Sequence, residues 1–239
     1  MRTLAETMEV LMTKTSFLAT LVCAIGLLGL IPATTQDAVP SADLIAKLSA
    51  AKKPAVGQPL TINGDQVCGP KGNSTKPNVP ELDNNKNRTD VPSTYVPIDW
   101  DSMKSLPADK VSDIQGAPVV VSGYLSDKIH VEGKESTNCD LTLPNEVDWH
   151  MYLTKSPNQL INEALVVEAT PRVRPMHTWT TQGLEEYVNK NQQVRISGWL
   201  IYDFEHVAVI GKERAAVWEV HPITKIEVQN NGQWVNVEH

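Results

Sequence analysis

Residues 194–228 read VRISGWLIYDFEHVAVIGKERAAVWEVHPITKIEV. Two runs rich in β-branched and aromatic residues flank a polar loop, a pattern that predicts two β-strands joined by that loop. Because side chains alternate along a strand, Trp218 and Val220 are expected on one face and Glu219 and His221 on the other. The stretch therefore predicts part of a small β-barrel with polar side chains at one edge.

The segments upstream of this pair complete a barrel pattern. Further β-like segments lie at residues 118–125, 148–154 and 164–170. Thr181 is expected to be the N-cap of a helix, so the order is three strands, a helix and two strands, as in an OB barrel. Gly123 and Gly198 in the first and fourth strands suit the sharp bends of such barrels. We predict a mainly β fold, a small five-stranded OB-like barrel with one capping helix, preceded by an irregular N-terminal arm. A different small barrel or an α+β sandwich would give similar patterns.

Length and charge limit the possible functions. A chain of 239 residues accommodates one domain with extensions or two small domains. Its formal net charge of −7 argues against general nucleic-acid binding, which usually requires a basic face.

The N-terminal region has the pattern of an export signal. Lys14 precedes an apolar run at residues 17–31, which suits a signal peptide better than a membrane span of about 20 residues. An uncleaved anchor is the alternative. We divide the chain into a signal peptide (residues 1–35), an N-terminal extension with a short helix and the irregular arm (36–115) and the barrel domain (116–239). The expected location is secreted or periplasmic, with no membrane span after cleavage.

Two cysteines, Cys68 and Cys139, remain beyond the signal-like segment. In an exported protein, two cysteines favour one disulfide. It would attach the arm, here residues 69–97, to the barrel. The arm has no periodicity and contains two glycosylation sequons, at Asn73 and Asn87, which matter only in a host that glycosylates exported proteins.

Several polar residues on β-like segments are candidates for a site at the barrel edge. Glu219 and His221 can share a metal ion or act as a base and the residue that orients it. Asp148 and His150 repeat that spacing, and His206 lies in the loop between the last two strands. Glu168 interrupts an apolar strand and is expected to pair with Arg172 or Arg174. The candidate polar site comprises His150, Glu168, Arg172, Arg174, His206, Glu219 and His221.

The alternative for each of these residues is structural, as a solvent-facing carboxylate, a strand cap or an ion pair. No spacing matches a known metal-ligand or nucleophile motif, so the sequence assigns no metal ion, no cofactor and no catalytic residue. Aromatic residues on the strands indicate a possible ligand face near Trp199 and Tyr202.

Five segments carry a resemblance to a known group: GKESTNCD, DWHMYL, VVEATPRVR, VRISGWLIYDFEH and WEVHPITKIEV. Together they resemble exported bacterial proteins of uncharacterised function that share the pattern W-E-[VI]-H-P-[IV]-T. The resemblance covers residues 116–228. It implies a secreted or periplasmic protein with an OB-like barrel, and it transfers no catalytic role.

These observations favour an exported, non-enzymatic OB-fold binding module. Its ligand would be a small molecule, a glycan or a protein surface, bound near Trp199, Tyr202, Arg172 and Arg174. The alternative is a metal-dependent hydrolase that uses a His/Glu site at the barrel edge. A third hypothesis is an envelope protein whose arm holds a partner.

Overall fold

The computed structural model describes residues 39–238, which belong to one compact unit, Asp37–His239. The expected signal peptide, residues 1–35, lies outside the described residues. Within residues 39–238, no helix is both long enough and apolar enough to cross a membrane.

Short elements precede the barrel. They are α1 (Ala42–Ala51), β1 (Leu60–Ile62), β2 (Asp65–Cys68), α2 (Val79–Lys86), β3 (Val96–Pro97), α3 (Trp100–Lys104) and α4 (Val111–Ile114). The expected N-cap of α1 is confirmed, because Ser41 Oγ accepts a hydrogen bond from the Leu44 backbone N–H at 3.1 Å. Within the arm, α2 is the one element of more than two residues, and the polar sequence of the arm gave no indication of it.

Five strands form the barrel. They are β4 (Pro118–Val131), β5 (Trp149–Thr154), β6 (Leu165–Ala169), β7 (Val194–Tyr202) and β8 (Trp218–Asn230), followed by a short β9 (Gln233–Asn236) paired with β8. The hydrogen-bonded order is β4-β5-β6-β8-β7, and β7 pairs with β4 to close the ring. All these pairs are antiparallel except β6 and β8, which are parallel. The predicted mainly β fold with a five-stranded barrel is confirmed.

The expected capping helix, α5 (Thr181–Glu185), lies between β6 and β7. It begins one residue earlier than expected, because Thr180 is the N-cap and its Oγ1 accepts a hydrogen bond from the Gly183 N–H at 3.0 Å. Leu184 is buried and packs in the main core.

Glycine is required at one position in each of two barrel strands. A Cβ on Gly123 of β4 would lie 2.5 Å from the carbonyl oxygen of Thr154, and one on Gly198 of β7 would lie 2.3 Å from that of Pro222. Both neighbours are backbone atoms, so a side chain at either position would force strands apart. The sequence predicted these glycines from the bends of such barrels, and the structure adds close backbone contacts as a second reason for glycine.

The barrel interior is apolar and positions the polar site on the outside. Met151, Val167, Trp218 and Val220 are buried in one cluster, together with inward residues of β4 and β7. Because side chains alternate along a strand, the neighbours of these residues point outward. The outward sides of β5, β6 and β8 form what we call the covered face, since the arm and the loop before β5 lie over it.

A disulfide joins the arm to the barrel. Cys68 and Cys139 are bonded, with their Cα atoms 5.6 Å apart, as expected. Asn87 in the arm is completely buried, and its Nδ2 donates hydrogen bonds to the carbonyl oxygens of Pro70 and Thr137. The sequon at Asn87 is therefore inaccessible in the folded chain, whereas Asn73 is exposed.

Candidate functional site

The covered face carries a group of buried charged side chains. Glu219 and His221 point outward from β8, and both are 0% exposed. His150 of β5 is the cross-strand partner of Glu168 of β6. The predicted division of β8 is confirmed, because Trp218 and Val220 lie in the core while Glu219 and His221 face the arm. Sheet register, rather than sequence proximity, brings these side chains together.

Three of these side chains converge on one point, which we call the inner site. Asp148, Glu168 and His221 each offer one ligand atom, and these atoms lie within 4.8 Å of one another. His221 Nδ1 is 3.3 Å from Glu168 Oε2, and His221 Nε2 is 3.8 Å from Asp148 Oδ2. The sequence assigned no metal ion, and in the described part of the chain this is the one group found with such spacing.

The inner site contains polar atoms that lack hydrogen-bond partners among the described residues. They are both ring nitrogens of His221, Glu168 Oε2 and Asp148 Oδ1. All three residues are at most 3% exposed, so solvent does not compensate for the missing bonds. Buried polar groups are nearly always paired, and an exception indicates an ion, a ligand or a functional strain.

Neighbouring residues fix two of the three side chains in place. Asn138 Nδ2 donates a hydrogen bond of 2.8 Å to Asp148 Oδ2, and Arg172 in turn donates one of 2.7 Å to Asn138 Oδ1. His221 Nδ1 also lies 3.5 Å from Glu219 Oε1. Such outer contacts orient the side chains that they hold.

A second part of the cluster is neutralised by protein cations. Lys86 of α2 reaches from the arm to Asp203 Oδ2 at 2.7 Å and to Glu219 Oε1 at 3.3 Å. Arg214 Nη1 lies 3.1 Å from Glu219 Oε2. Lys86 and Arg214 therefore offset the charges of Asp203 and Glu219, while Asp148 and Glu168 of the inner site have no such direct partner in the described residues.

The pKa values follow this division. Burial raises the pKa of Glu219, but Lys86, His221 and Arg214 outweigh it and bring that pKa to about 2. Burial and the charge of Glu219 raise the pKa of Glu168 well above its ordinary value. Burial also raises the pKa of Glu135, on the loop before β5, to about 7. Without a cation beside it, the Glu168 carboxyl therefore favours its protonated form, whereas Glu219 is ionised beside Lys86 and Arg214.

His150 and His206 occupy different places from the inner site. His150 Nδ1 lies 3.8 Å from Glu168 Oε1 and 3.7 Å from Glu132 Oε1, at the rim of the cluster. Burial lowers the pKa of His150 to about 3, so its imidazole is neutral. His206 contacts Asp203 at 2.7 Å and does not reach the inner site. The three histidines do not meet at one point.

The expected ion pair between Glu168 and an arginine is absent from the described residues. Arg172 donates to the carbonyl oxygens of Gln58 and Gly69 as well as to Asn138, and so attaches residues near the arm to the barrel. Arg174 donates to the carbonyl oxygens of Val147, Ala169 and Pro144. Both guanidinium groups donate hydrogen bonds to backbone carbonyl oxygens. Glu168 instead has the imidazoles of His150 and His221 as its neighbours.

The predicted ligand residues do not share one open face. Trp199 is 0% exposed because the Arg88 guanidinium lies 3.2 Å above its ring, and its Nε1 donates to the carbonyl oxygen of Asp90. Tyr202 is half-buried and packs edge-on against Trp218, at 5.0 Å between ring centroids. The arm covers the surface on which a ligand near Trp199 was expected.

Sequence reasoning left four important residues out of the candidate site. They are Lys86, Asp148, Asp203 and Arg214, which lie in or beside the buried cluster. Asp148 could have been included, since it shares strand parity with His150. Lys86 gave no signal, because α2 (VPELDNNK) is polar on most sides and shows no apolar stripe.

Comparison with known proteins does not identify the chain. Neither the protein-family models, nor the curated proteins, nor the solved structures gave a significant match.

Proposed function

We propose that the chain is an exported OB-fold binding protein, and that the ligand of its covered face is a divalent transition-metal ion held by Asp148, Glu168 and His221. The observation that carries the proposal is the convergence of three buried side chains, each of which has at least one polar atom without a hydrogen-bond partner among the described residues.

The connectivity of the barrel supports the OB assignment. In chain order the ring reads first, second, third, fifth and fourth strand, with a helix between the third and fourth. OB folds bind ligands on the second and third strands, between the loops that follow the first and fourth strands. Here Asp148 directly precedes the second strand and Glu168 lies on the third. The inner site therefore occupies the position at which this fold binds ligands.

The distances in the inner site suit a shared ion better than shared protons. Hydrogen bonds between nitrogen and oxygen span about 2.7–3.2 Å. Two ligand atoms bound at about 2.1 Å to one tetrahedral ion lie about 3.4 Å apart. His221 Nδ1 lies 3.3 Å from Glu168 Oε2, near the second value. The 3.8 Å contact with Asp148 Oδ2 is made by the other ring nitrogen, Nε2, so the observation that supports one shared ion is that one ligand atom from each of the three residues lies within 4.8 Å of the others.

The donor set selects a class of ion. One imidazole nitrogen and two carboxylate oxygens suit zinc, manganese or a similar divalent transition ion. Calcium and magnesium prefer shells composed of oxygen alone. A divalent cation that displaces the proton of Glu168 would be balanced by the two carboxylate charges of Asp148 and Glu168. Buried cations of the protein already neutralise Asp203 and Glu219. Asp148 and Glu168 have no such partner in the described residues and remain available to a ligand.

Export is part of the proposal. The signal-like segment and the resemblance to exported bacterial proteins motivate it, and the Cys68–Cys139 disulfide supports it because such bonds persist in oxidising compartments. A secreted or periplasmic protein meets metal ions in the surrounding fluid.

A binding role is favoured over a metal-dependent hydrolase. A catalytic metal keeps an open coordination position that a substrate can reach. In the inner site all three residues are buried beneath the arm, and Lys86 and Arg214 hold Glu219, another residue of the candidate polar site. An ion here would join the strands of the covered face and stabilise them, as structural zinc ions do.

Elemental analysis and thermal unfolding test the proposal. Protein purified without chelator, or refolded with Zn²⁺ or Mn²⁺ and freed of unbound metal, is expected to retain at least one ion per chain and to unfold at a higher temperature than metal-free protein. Glu168→Gln preserves side-chain shape and is expected to lose the ion, whereas Glu146→Gln, on the loop before β5, is expected to retain it. Asp148→Asn provides a second isosteric loss if Glu168→Gln does not fold.

Two outcomes would overturn the proposal. One is wild-type protein that retains no ion after refolding with either metal. The other is an ion that remains bound at full stoichiometry in both the Glu168→Gln and the Asp148→Asn variants. Either result would show that Asp148, Glu168 and His221 do not together hold a divalent ion.

A further inference from the structure

We infer that Glu168 bridges two cations, the second of which is bound by Glu132 and His150 at the rim of the covered face. The inference rests on the proposed inner site and adds a ligand position to it. We call this second place the outer position.

The two carboxylate oxygens of Glu168 face different imidazoles. Oε2 lies 3.3 Å from Nδ1 of His221, and Oε1 lies 3.8 Å from Nδ1 of His150. A carboxylate that offers one oxygen to each of two ligand groups is suited to hold two ions side by side. Ions in such paired sites lie about 3.5–4 Å apart. Glu168 thus has the arrangement of a bridge rather than of a ligand to one ion.

The outer position has the same donor types as the inner site. His150 Nδ1 lies 3.7 Å from Glu132 Oε1 and 3.8 Å from Glu168 Oε1. Both distances exceed the range of a nitrogen–oxygen hydrogen bond, about 2.7–3.2 Å. They are closer to the separation of about 3.4 Å expected for two ligands of one tetrahedral ion. A modest movement of Glu132 would close the shell around an ion.

Packing holds the imidazole in place while the carboxylate at the rim remains adjustable. The His150 ring packs against Tyr152 at 4.8 Å between centroids, and strand register places His150 opposite Glu168. Glu132 follows the end of β4 and its side chain is 34% exposed, compared with 12% for His150 and 4% for Glu168. A closely packed ligand, His150, and a partly exposed ligand, Glu132, suit a position that takes up ions from solvent.

Exposure decreases steadily from the outer position to the inner one. Glu132 meets solvent, His150 and Glu168 lie behind it, and His221 is fully buried. An ion held by Glu132 and His150 already contacts Oε1 of Glu168, the carboxylate that also serves the inner site. The outer position therefore provides the route by which an ion reaches the buried ligands beneath the arm.

Manganese binding measures the number of positions and their separation. Wild-type protein refolded with Mn²⁺ is expected to bind two ions per chain by elemental analysis, with an electron paramagnetic resonance spectrum of a spin-coupled pair. Glu132→Gln is expected to bind one ion and to give the six-line spectrum of an isolated Mn²⁺. Glu146→Gln, on the same loop, is the matched control and is expected to keep both ions.

The results separate failure of this inference from failure of the proposed function. One uncoupled ion in the wild type, with Glu132→Gln unchanged, would retain the inner site and overturn the outer position. Two ions in Glu132→Gln would overturn it equally. No ion in the wild type would remove the inner site and this inference together. Loss of both ions in Glu168→Gln supports the bridging role.

Discussion

Lys86 is the residue of the arm on which the buried cluster depends most directly. Its ammonium group lies 2.7 Å from Asp203 and 3.3 Å from Glu219, and its side chain is 6% exposed. Lys86→Met keeps most of the side-chain volume and removes the charge. The two carboxylates would then remain buried with Arg214, His206 and His221 as basic neighbours.

The expected loss of stability is large. Removal of one partner from a buried ion pair costs about 3–5 kcal/mol, because the remaining charge is left in a poorly solvated place. For a domain of this size, 1 kcal/mol corresponds to about 2–4 °C in Tm, so Lys86→Met is expected to lower Tm by about 10 °C. Urea unfolding followed by tryptophan fluorescence, with the disulfide intact, measures the free energy of unfolding.

Lys76→Met is the matched control, since Lys76 also reaches from the arm to a carboxylate of the loop before β8. It contacts Glu205 at 3.0 Å, but its side chain is 74% exposed, so the change is expected to be less than about 1 kcal/mol. Equal stability of the two variants would refute the account of the buried cluster. In the double variant Lys86→Met/Glu219→Gln, part of the lost stability is expected to return.

Further predictions concern the disulfide, the loop histidine and the sequons. Replacing Cys68 and Cys139 with Ala is expected to lower the free energy of unfolding by about 4 kcal/mol in the chain-entropy model; an unchanged urea midpoint would contradict this. The hydrogen bond with a neighbouring carboxylate raises the pKa of His206. The charged imidazole therefore stabilises the fold fully below the unfolded pKa of histidine, about 6.5, and this stabilisation is lost as pH rises through the folded pKa. His206→Gln is therefore expected to destabilise the protein more at pH 5.5 than at pH 8.5, and a penalty that grows with pH would refute this. In a glycosylating host, peptide mass spectrometry is expected to find a glycan on Asn73 only, and a glycan on Asn87 in folded protein would contradict its burial.

Much of the barrel could be predicted because local pattern and global packing agree. Alternation along β8 correctly placed Trp218 and Val220 on one face and Glu219 on the other, and the structure shows that the first pair lies in the core. Gly123 and Gly198 are determined by close backbone contacts, which appear in the sequence as glycines inside strands. The disulfide was predicted from the two cysteines that lie beyond the signal-like segment.

The candidate site could be predicted only in part, because its partners are distant in sequence. His150, Glu168 and His221 belong to three strands whose pairing is a property of the closed barrel. The outward face was expected to be open, but Arg88 and its neighbours cover it. No periodic signal predicts that a polar helix such as α2 will insert Lys86 into an acidic cluster.

The charge of an isolated strand residue also does not reveal its partner. Glu168 was expected to pair with a nearby arginine, since Arg172 and Arg174 follow on the same strand parity. Both long side chains instead donate hydrogen bonds to backbone carbonyl oxygens, Arg172 to Gln58 and Arg174 to Ala169. Backbone carbonyl oxygens compete with carboxylates for guanidinium groups. A sequence does not show which carbonyl oxygens lack another hydrogen-bond donor.

The proposed function requires that an ion, rather than a proton, joins Asp148, Glu168 and His221. An anomalous-difference map from crystals grown with Zn²⁺ tests it most directly. The account predicts a peak about 2.0–2.2 Å from one ring nitrogen of His221 and from one carboxylate oxygen each of Asp148 and Glu168. A map with no peak among these three side chains, with the imidazole hydrogen-bonded directly to the carboxylates, would contradict it.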